Sequence, residues 1–194
     1  MSKIAIAYPM FKKYFEENFN QEIHLLKKGD NIEEFNLVIF SGGEDINPEI
    51  YGEKNRYSTY NSLRDKIELY WLEKCIQSSR KILGVCRGHQ LINAYLGGKL
   101  VQDLIEDLRQ HHTYYHELIF TIQQSIVSNF FFDDVNSMHH QGVIKPGKDL
   151  TVTSEYKGVI ESCESNNIIT VQFHPEFMYT INFFKYLEEE WITQ

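Results

Sequence analysis

The chain is poor in cysteine. Three residues in 194, Cys75, Cys86 and Cys163, form no CxxC pair. An odd, scattered set excludes a disulfide framework and a zinc ribbon. Positive charge is also short. Nineteen lysines and arginines face 27 aspartates and glutamates, for a formal net charge of −8. With no basic cluster, the sequence excludes a nucleic-acid binder and a membrane-surface binder. No window approaches the ~18 apolar residues of a membrane span. The apolar run in MSKIAIAYPMFKK is too short for a signal peptide. A cytoplasmic location is therefore expected. Internal repeats, low-complexity tracts and linkers are absent, which leaves one domain over residues 1–194 as the expectation. A chain of this length buries roughly 70% of its unfolded surface.

Four short apolar runs stand out: KIAIAY at 3–8, NLVIF at 36–40, KILGV at 81–85 and IITVQFH at 168–174. Such runs suit strands buried on both faces of a parallel sheet. Helical patterns separate them. Phe11 to Phe19 is amphipathic, and 62–79 carries Ile67, Trp71, Cys75 and Ile76 on one stripe. Ser62 followed by Asp65 predicts a capping box. Alternating strand and helix predicts an α/β fold with a mostly parallel sheet flanked by helices. HELIFTI, SIVSNFF, DLTVTSEY and GVIESCES predict a small antiparallel, strand-rich insertion, and INFFKYLEEEWITQ a closing helix.

The chemistry concentrates at GVCRGHQ, where KILGV runs into the helical pattern HQLINAYLGG. Strand, tight turn and helix with a cysteine between glycines describe a nucleophile elbow. The thiol of Cys86 then sits at a helix N-terminus, which favours the thiolate. Cys75 and Cys163 fall within regular patterns and read as packing residues.

A nucleophilic thiol requires a base and a means of stabilising an oxyanion. His174 closes the fourth run, Pro175 stiffens the chain after it, and Glu176 is placed to hold the imidazole. Cys86, His174 and Glu176 are the candidate triad, set against a plain strand-end histidine. Ser41-Gly42-Gly43 ends the second run. It reads either as an ordinary turn or as part of an oxyanion hole with donors at Gly43 N–H and Arg87 N–H. His139-His140-Gln141 lies in a loop that lines the site or is simply solvated. His111, His112 and His116 raise a metal reading, with His112 and His116 at i,i+4. HELIFTI reads as a strand, however, and no third ligand is evident, so no metal and no other cofactor is expected.

Taken together, GVCRGHQ, SGGEDINPEIYGE, NSMHHQG and VQFHPE resemble the class I glutamine amidotransferase-like superfamily, and within it the γ-glutamyl hydrolase branch. The resemblance spans residues 36–176. It implies a flavodoxin-like fold and hydrolysis of a γ-glutamyl amide, with Cys86 as nucleophile, His174 and Glu176 as its supporting pair, and Gly43 and Arg87 as oxyanion donors. It also implies glutamate-binding positions at Gln90, His139 and Gln141. Arg64-Asp65 matches a recurring pair of this branch, with capping or charge pairing as the default role. The leaving-group pocket is expected from residues 51–61 and 102–116. The whole chain is also similar to hydrolases that free glutamate from a γ-glutamyl cytidine diphosphoramidate in capsule phosphoramidate synthesis. The implied partner is a small γ-glutamyl substrate. The rival expectation is a glutaminase component delivering ammonia to a synthetase.

Overall fold

The computed structural model describes residues 2–110, 114–131, 134–178 and 180–194. In chain order the regular elements are β1 (Ile4–Ile6), α1 (Lys12–Phe19), β2 (His24–Leu25), β3 (Leu37–Phe40), α2 (Ser62–Gln77), β4 (Lys81–Val85), α3 (Arg87–Tyr95), β5 (Lys99–Val101) and α4 (Leu104–Leu108). They continue with β6 (Tyr115–His116), β7 (Ile119–Phe120), α5 (Ile126–Phe130), β8 (Val135–Asn136), β9 (Gly142–Lys145), β10 (Thr151–Tyr156), β11 (Val159–Glu164), β12 (Ile168–Val171) and α6 (Ile181–Glu189).

The main sheet runs β2-β1-β3-β4-β12-β11-β10-β7. Its first five strands are mutually parallel. Their order is the 2-1-3-4-5 of flavodoxin-like folds. From β12 onward the pairing turns antiparallel. The antiparallel strands therefore extend the main sheet, while β6 and β8 pair apart from it.

Alternation along the central strands builds the core. Ala5, Val38, Phe40 and Ile82 face one layer, where they meet Trp71, Leu72 and Cys75 of α2 and Leu91 and Ile92 of α3. Ile4, Ile6, Leu37, Ile39, Leu83, Val85, Ile169 and Val171 face the other, against Phe15 and Phe19 of α1 and Phe183, Phe184 and Leu187 of α6. Period-two alternation with helices on both faces explains why the runs read as continuously apolar.

Three local expectations need correction. SIVSNFF is a helix, not a strand: Ser125 caps α5 in a capping box with Ser128. The Glu164 carboxylate accepts from the N–H groups of Ile126 (3.1 Å) and Val127 (2.9 Å). Caps at the free N–H groups outweigh the β-branched content. The N-cap of α2 is Asn61, one residue earlier than predicted, accepting from Leu63 and Arg64. Asp65 is thereby released from capping and turns inward. Finally, β12 stops at Val171, so His174 lies beyond the strand end rather than on it.

Candidate active site

Cys86 joins β4 to α3 with φ 51° and ψ −105°. A non-glycine residue in that region holds strain of about 1–3 kcal/mol. Bonds on both sides fix it: its N–H donates to Val171 O (2.8 Å), and its carbonyl accepts from Gln90 N–H (3.1 Å). The flanking glycines are steric necessities. A Cβ on Gly88 would collide with the Phe40 carbonyl, and one on Gly84 would come within 2.5 Å of Ile92 Cδ1.

His174 and Glu176 come to this elbow from beyond β12. His174 Nδ1 and Glu176 Oε1 are 2.8 Å apart, and both residues are buried. On its other side the imidazole feels the Cys86 sulfur, which acts on its protonation. Phe177 stacks on its face (5.2 Å, 19°), and Phe11 meets it edge-on (5.5 Å, 89°). Burial acts to lower the His174 pKa. The charge of the Cys86 sulfur, the bond to it and Glu176 outweigh burial and raise it to about 10. The imidazole thus holds its proton through neutral pH. Burial pushes the Cys75 and Cys163 thiols up to about 12, which leaves them inert packing groups.

The loop after β3 closes the other side. A Cβ on Gly42 would strike the His174 ring, and Gly43 has φ 143°, where glycine is favoured. This loop and the elbow are tied by one buried ionic network on α2. Arg64 donates through Nη2 to the carbonyls of Ser41 (3.2 Å) and Gly42 (2.9 Å), and through Nη1 to Glu44 (2.6 Å). It also bonds Glu68 (3.2 Å), and its guanidinium lies 4.5 Å over the Tyr8 ring. Glu68 also takes Arg87 Nη1, while Asp65 takes Arg87 Nη2. Burial, with the Arg64 charge beside it, lowers Arg87 to about 10. Arg64 and Asp65 therefore position both loops that carry Gly43 and Arg87. Replacing Arg64 by methionine strips the Ser41 and Gly42 carbonyls and Glu44 of their cation and leaves buried Glu68 with Arg87 alone. The expected loss is about 3–5 kcal/mol of stability, read by chemical denaturation; an unchanged midpoint would mean the network is dispensable.

The proposed glutamate-binding positions are also adjacent. Gln90 Nε2 donates to Gln141 O (3.3 Å) and Gln172 Oε1 (3.1 Å), and His139 Nδ1 lies 2.7 Å from the same Gln141 carbonyl. Gln141 Nε2 donates to Ser58 Oγ (2.7 Å). His140 instead bridges Asp45 (3.0 Å) and Asp103 (3.3 Å) and is half exposed. The two segments expected to shape the leaving-group pocket touch. Gln102 accepts from Arg56 N–H (2.8 Å) and donates to Lys54 O (2.8 Å), and Arg56 pairs with Asp107 (2.8 Å). His111 and His112 lie outside the described residues, and His116 sits in β6 rather than on a helix. Sequence reasoning missed Asn136. Its side chain accepts from His174 N–H and donates to His174 O, each at 2.8 Å. The polar NSMHHQG cluster drew attention to the loop, but nothing local linked Asn136 to a residue so far away.

A parallel 2-1-3-4-5 sheet with a strained cysteine elbow and a histidine beyond the last parallel strand defines a class I glutamine amidotransferase-like protein. Residues 24–176 match Peptidase C26, and the chain belongs to that family. It is 29% identical over 201 residues to the glutamine amidotransferase-like protein YvdE of Lactococcus lactis, covering 90% of this chain and 82% of that one. It is 26% identical over 181 residues to the gamma-glutamyl-CDP-amidate hydrolase of Campylobacter jejuni, covering 90% and 74%. A glutamine amidotransferase crystal structure from Thermotoga maritima shares the fold, with TM-score 0.69 at 16% identity over 97% of this chain and 83% of that one. Among the described residues, no helix is long and apolar enough to cross a membrane.

Proposed function

We propose that this chain hydrolyses a γ-glutamyl amide bond and releases glutamate. The observation that carries this reading is the buried His174–Glu176 pair set against Cys86 at a strained elbow. The Cys86 sulfur attacks the γ-carbonyl carbon, and the carbonyl π electrons move onto oxygen. N–H groups of Gly43 and Arg87 hold that oxyanion; one such donor is worth about 3 kcal/mol of barrier. As the tetrahedral centre collapses, the His174 imidazolium protonates the leaving nitrogen and the C–N bond breaks. The enzyme is left as a γ-glutamyl thioester with a neutral imidazole. Water gives a proton to that imidazole, attacks the thioester and frees glutamate, restoring thiolate and imidazolium. Gln90 and Gln141, with His139 packed behind them, form the wall for the glutamyl group.

The Campylobacter relative supports an amidate as the leaving group, here a cytidine diphosphoramidate. The amidotransferase-like relatives favour a second reading, a glutaminase that passes ammonia to a synthetase. A panel of γ-glutamyl amines, nucleotide amidates and free glutamine, assayed by glutamate release, separates them. Turnover of an amide or amidate by the chain alone is expected. Activity confined to glutamine and dependent on an added synthetase would favour the second reading. Cleavage of peptides lacking any γ-glutamyl group would overturn both.

The pH profile tests the ion pair. The alkaline limb of kcat/KM is expected near pH 10, where His174 loses its proton. Glu176 helps hold that proton, so Glu176→Gln should move the limb to lower pH and slow turnover less than loss of His174 does. An unmoved limb would deny Glu176 its role.

A further inference from the structure

The fold gathers His116, His139 and Glu161 into one cluster, with a ligand-type atom from each lying within 4.8 Å of the others. They come from three separate elements: β6, the segment before β9, and β11. His116 Nε2 and Glu161 Oε1 are already 3.7 Å apart. Ligands around a tetrahedral zinc, at bond lengths of about 2.0–2.1 Å, stand about 3.4 Å from one another. Small side-chain rotations therefore bring the trio to bonding distance.

The tautomers are set for coordination. His116 Nδ1 lies 2.9 Å from Glu117 O, and His139 Nδ1 lies 2.7 Å from Gln141 O. A carbonyl oxygen only accepts, so each Nδ1 carries a proton, and in the neutral ring Nε2 is then the acceptor nitrogen. At His139 that lone pair lies 3.2 Å from the Ser137 hydroxyl, which can rotate away. An imidazole anchored through Nδ1–H to a carbonyl is the usual support of a metal-binding histidine. Tyr156 stacks on the His116 ring at 4.2 Å and 5°, fixing its plane. Glu161 is fully buried on β11, with its carboxylate turned toward the His116 ring.

We propose that His116 Nε2, His139 Nε2 and the Glu161 carboxylate bind a divalent transition metal of the zinc class. Two imidazoles and one carboxylate are a known zinc donor set, with a fourth position for water. The ion pins β6 and residues 137–141 onto β11. His139 then serves the glutamyl wall through its bond to Gln141 and keeps Nε2 for the metal. The sequence pointed to His112 and His116 without a third ligand; the fold supplies His139 and Glu161 instead.

The test is metal binding by the full chain, so it stands apart from the γ-glutamyl reading. Chelator-treated protein is titrated with zinc against a chromophoric competitor, and zinc- and cobalt-loaded samples are examined by X-ray absorption. The expected result is one equivalent bound, with nitrogen and oxygen but no sulfur in the coordination shell. Glu161→Gln and His116→Gln should each weaken zinc binding more than about tenfold, the lower end of what losing even an outer partner costs. No binding by the parent, unchanged binding in both variants, or a sulfur ligand lost in Cys86→Ser would each overturn the proposal. The absorption measurement needs no variant, so it holds even where a substitution prevents folding.

Discussion

Cys86→Ser is expected to abolish glutamate release while leaving the melting temperature unchanged. The two side chains have the same shape, and the elbow's backbone bonds to Val171 and Gln90 use main-chain atoms only. The fold has no reason to notice the change. The chemistry does. The raised His174 pKa depends first, among the favourable contributions, on the charge of the Cys86 sulfur. A serine hydroxyl does not ionise in this setting, so that contribution to the imidazole is lost and the proposed nucleophile becomes a weaker one. Loss of a nucleophile from such a constellation costs on the order of 10⁴–10⁶-fold in rate. Turnover by the serine variant within tenfold of the parent would place the nucleophile elsewhere.

His174→Asn should cost almost as much, about four to six orders of magnitude, because in the proposed reaction one imidazole serves as acid and then as base. The variant is informative because the local fold survives it. Asn136 holds the main chain of residue 174, not its ring, and both 2.8 Å bonds remain available. Alkylation of Cys86 by iodoacetamide at neutral pH should slow in parallel, since the sulfur loses the imidazole that would activate it. The double variant Cys86→Ser/His174→Asn should be no slower than either single one, because residues acting as a unit are not additive. Multiplying losses would mean that the two side chains work independently.

The parallel half of the sheet was legible in the sequence because its strands are buried on both faces, and unbroken β-branched runs have few other uses. The cysteine elbow was legible for a related reason: glycines on each side of a polar nucleophile mark a crowded turn. Other features had no such signature. Strands β6 and β8 are two residues each, below any periodicity. The helix at 126–130 hid behind valine, isoleucine and phenylalanine, and only its serine cap contradicts a strand. The inward charges of α2 were the more avoidable miss. Arg64 and Glu68 fall on the same stripe as Trp71, Leu72 and Cys75. Polar residues on a buried stripe imply partners, and Arg87 was the buried cation near enough in the fold to answer them. What the sequence withheld was the distance between the two segments.

Glu68 clasps both guanidinium groups, and this sets a limit for anyone redesigning the molecule. The two loops beside the sulfur are tied through the same carboxylate, so libraries that randomise either arginine should yield mostly inactive clones. Variation is better spent on residues 51–61 and 102–116, which meet through Gln102 and the Arg56–Asp107 pair. On the proposed function, changes there would alter which amine is released and leave the elbow as it is.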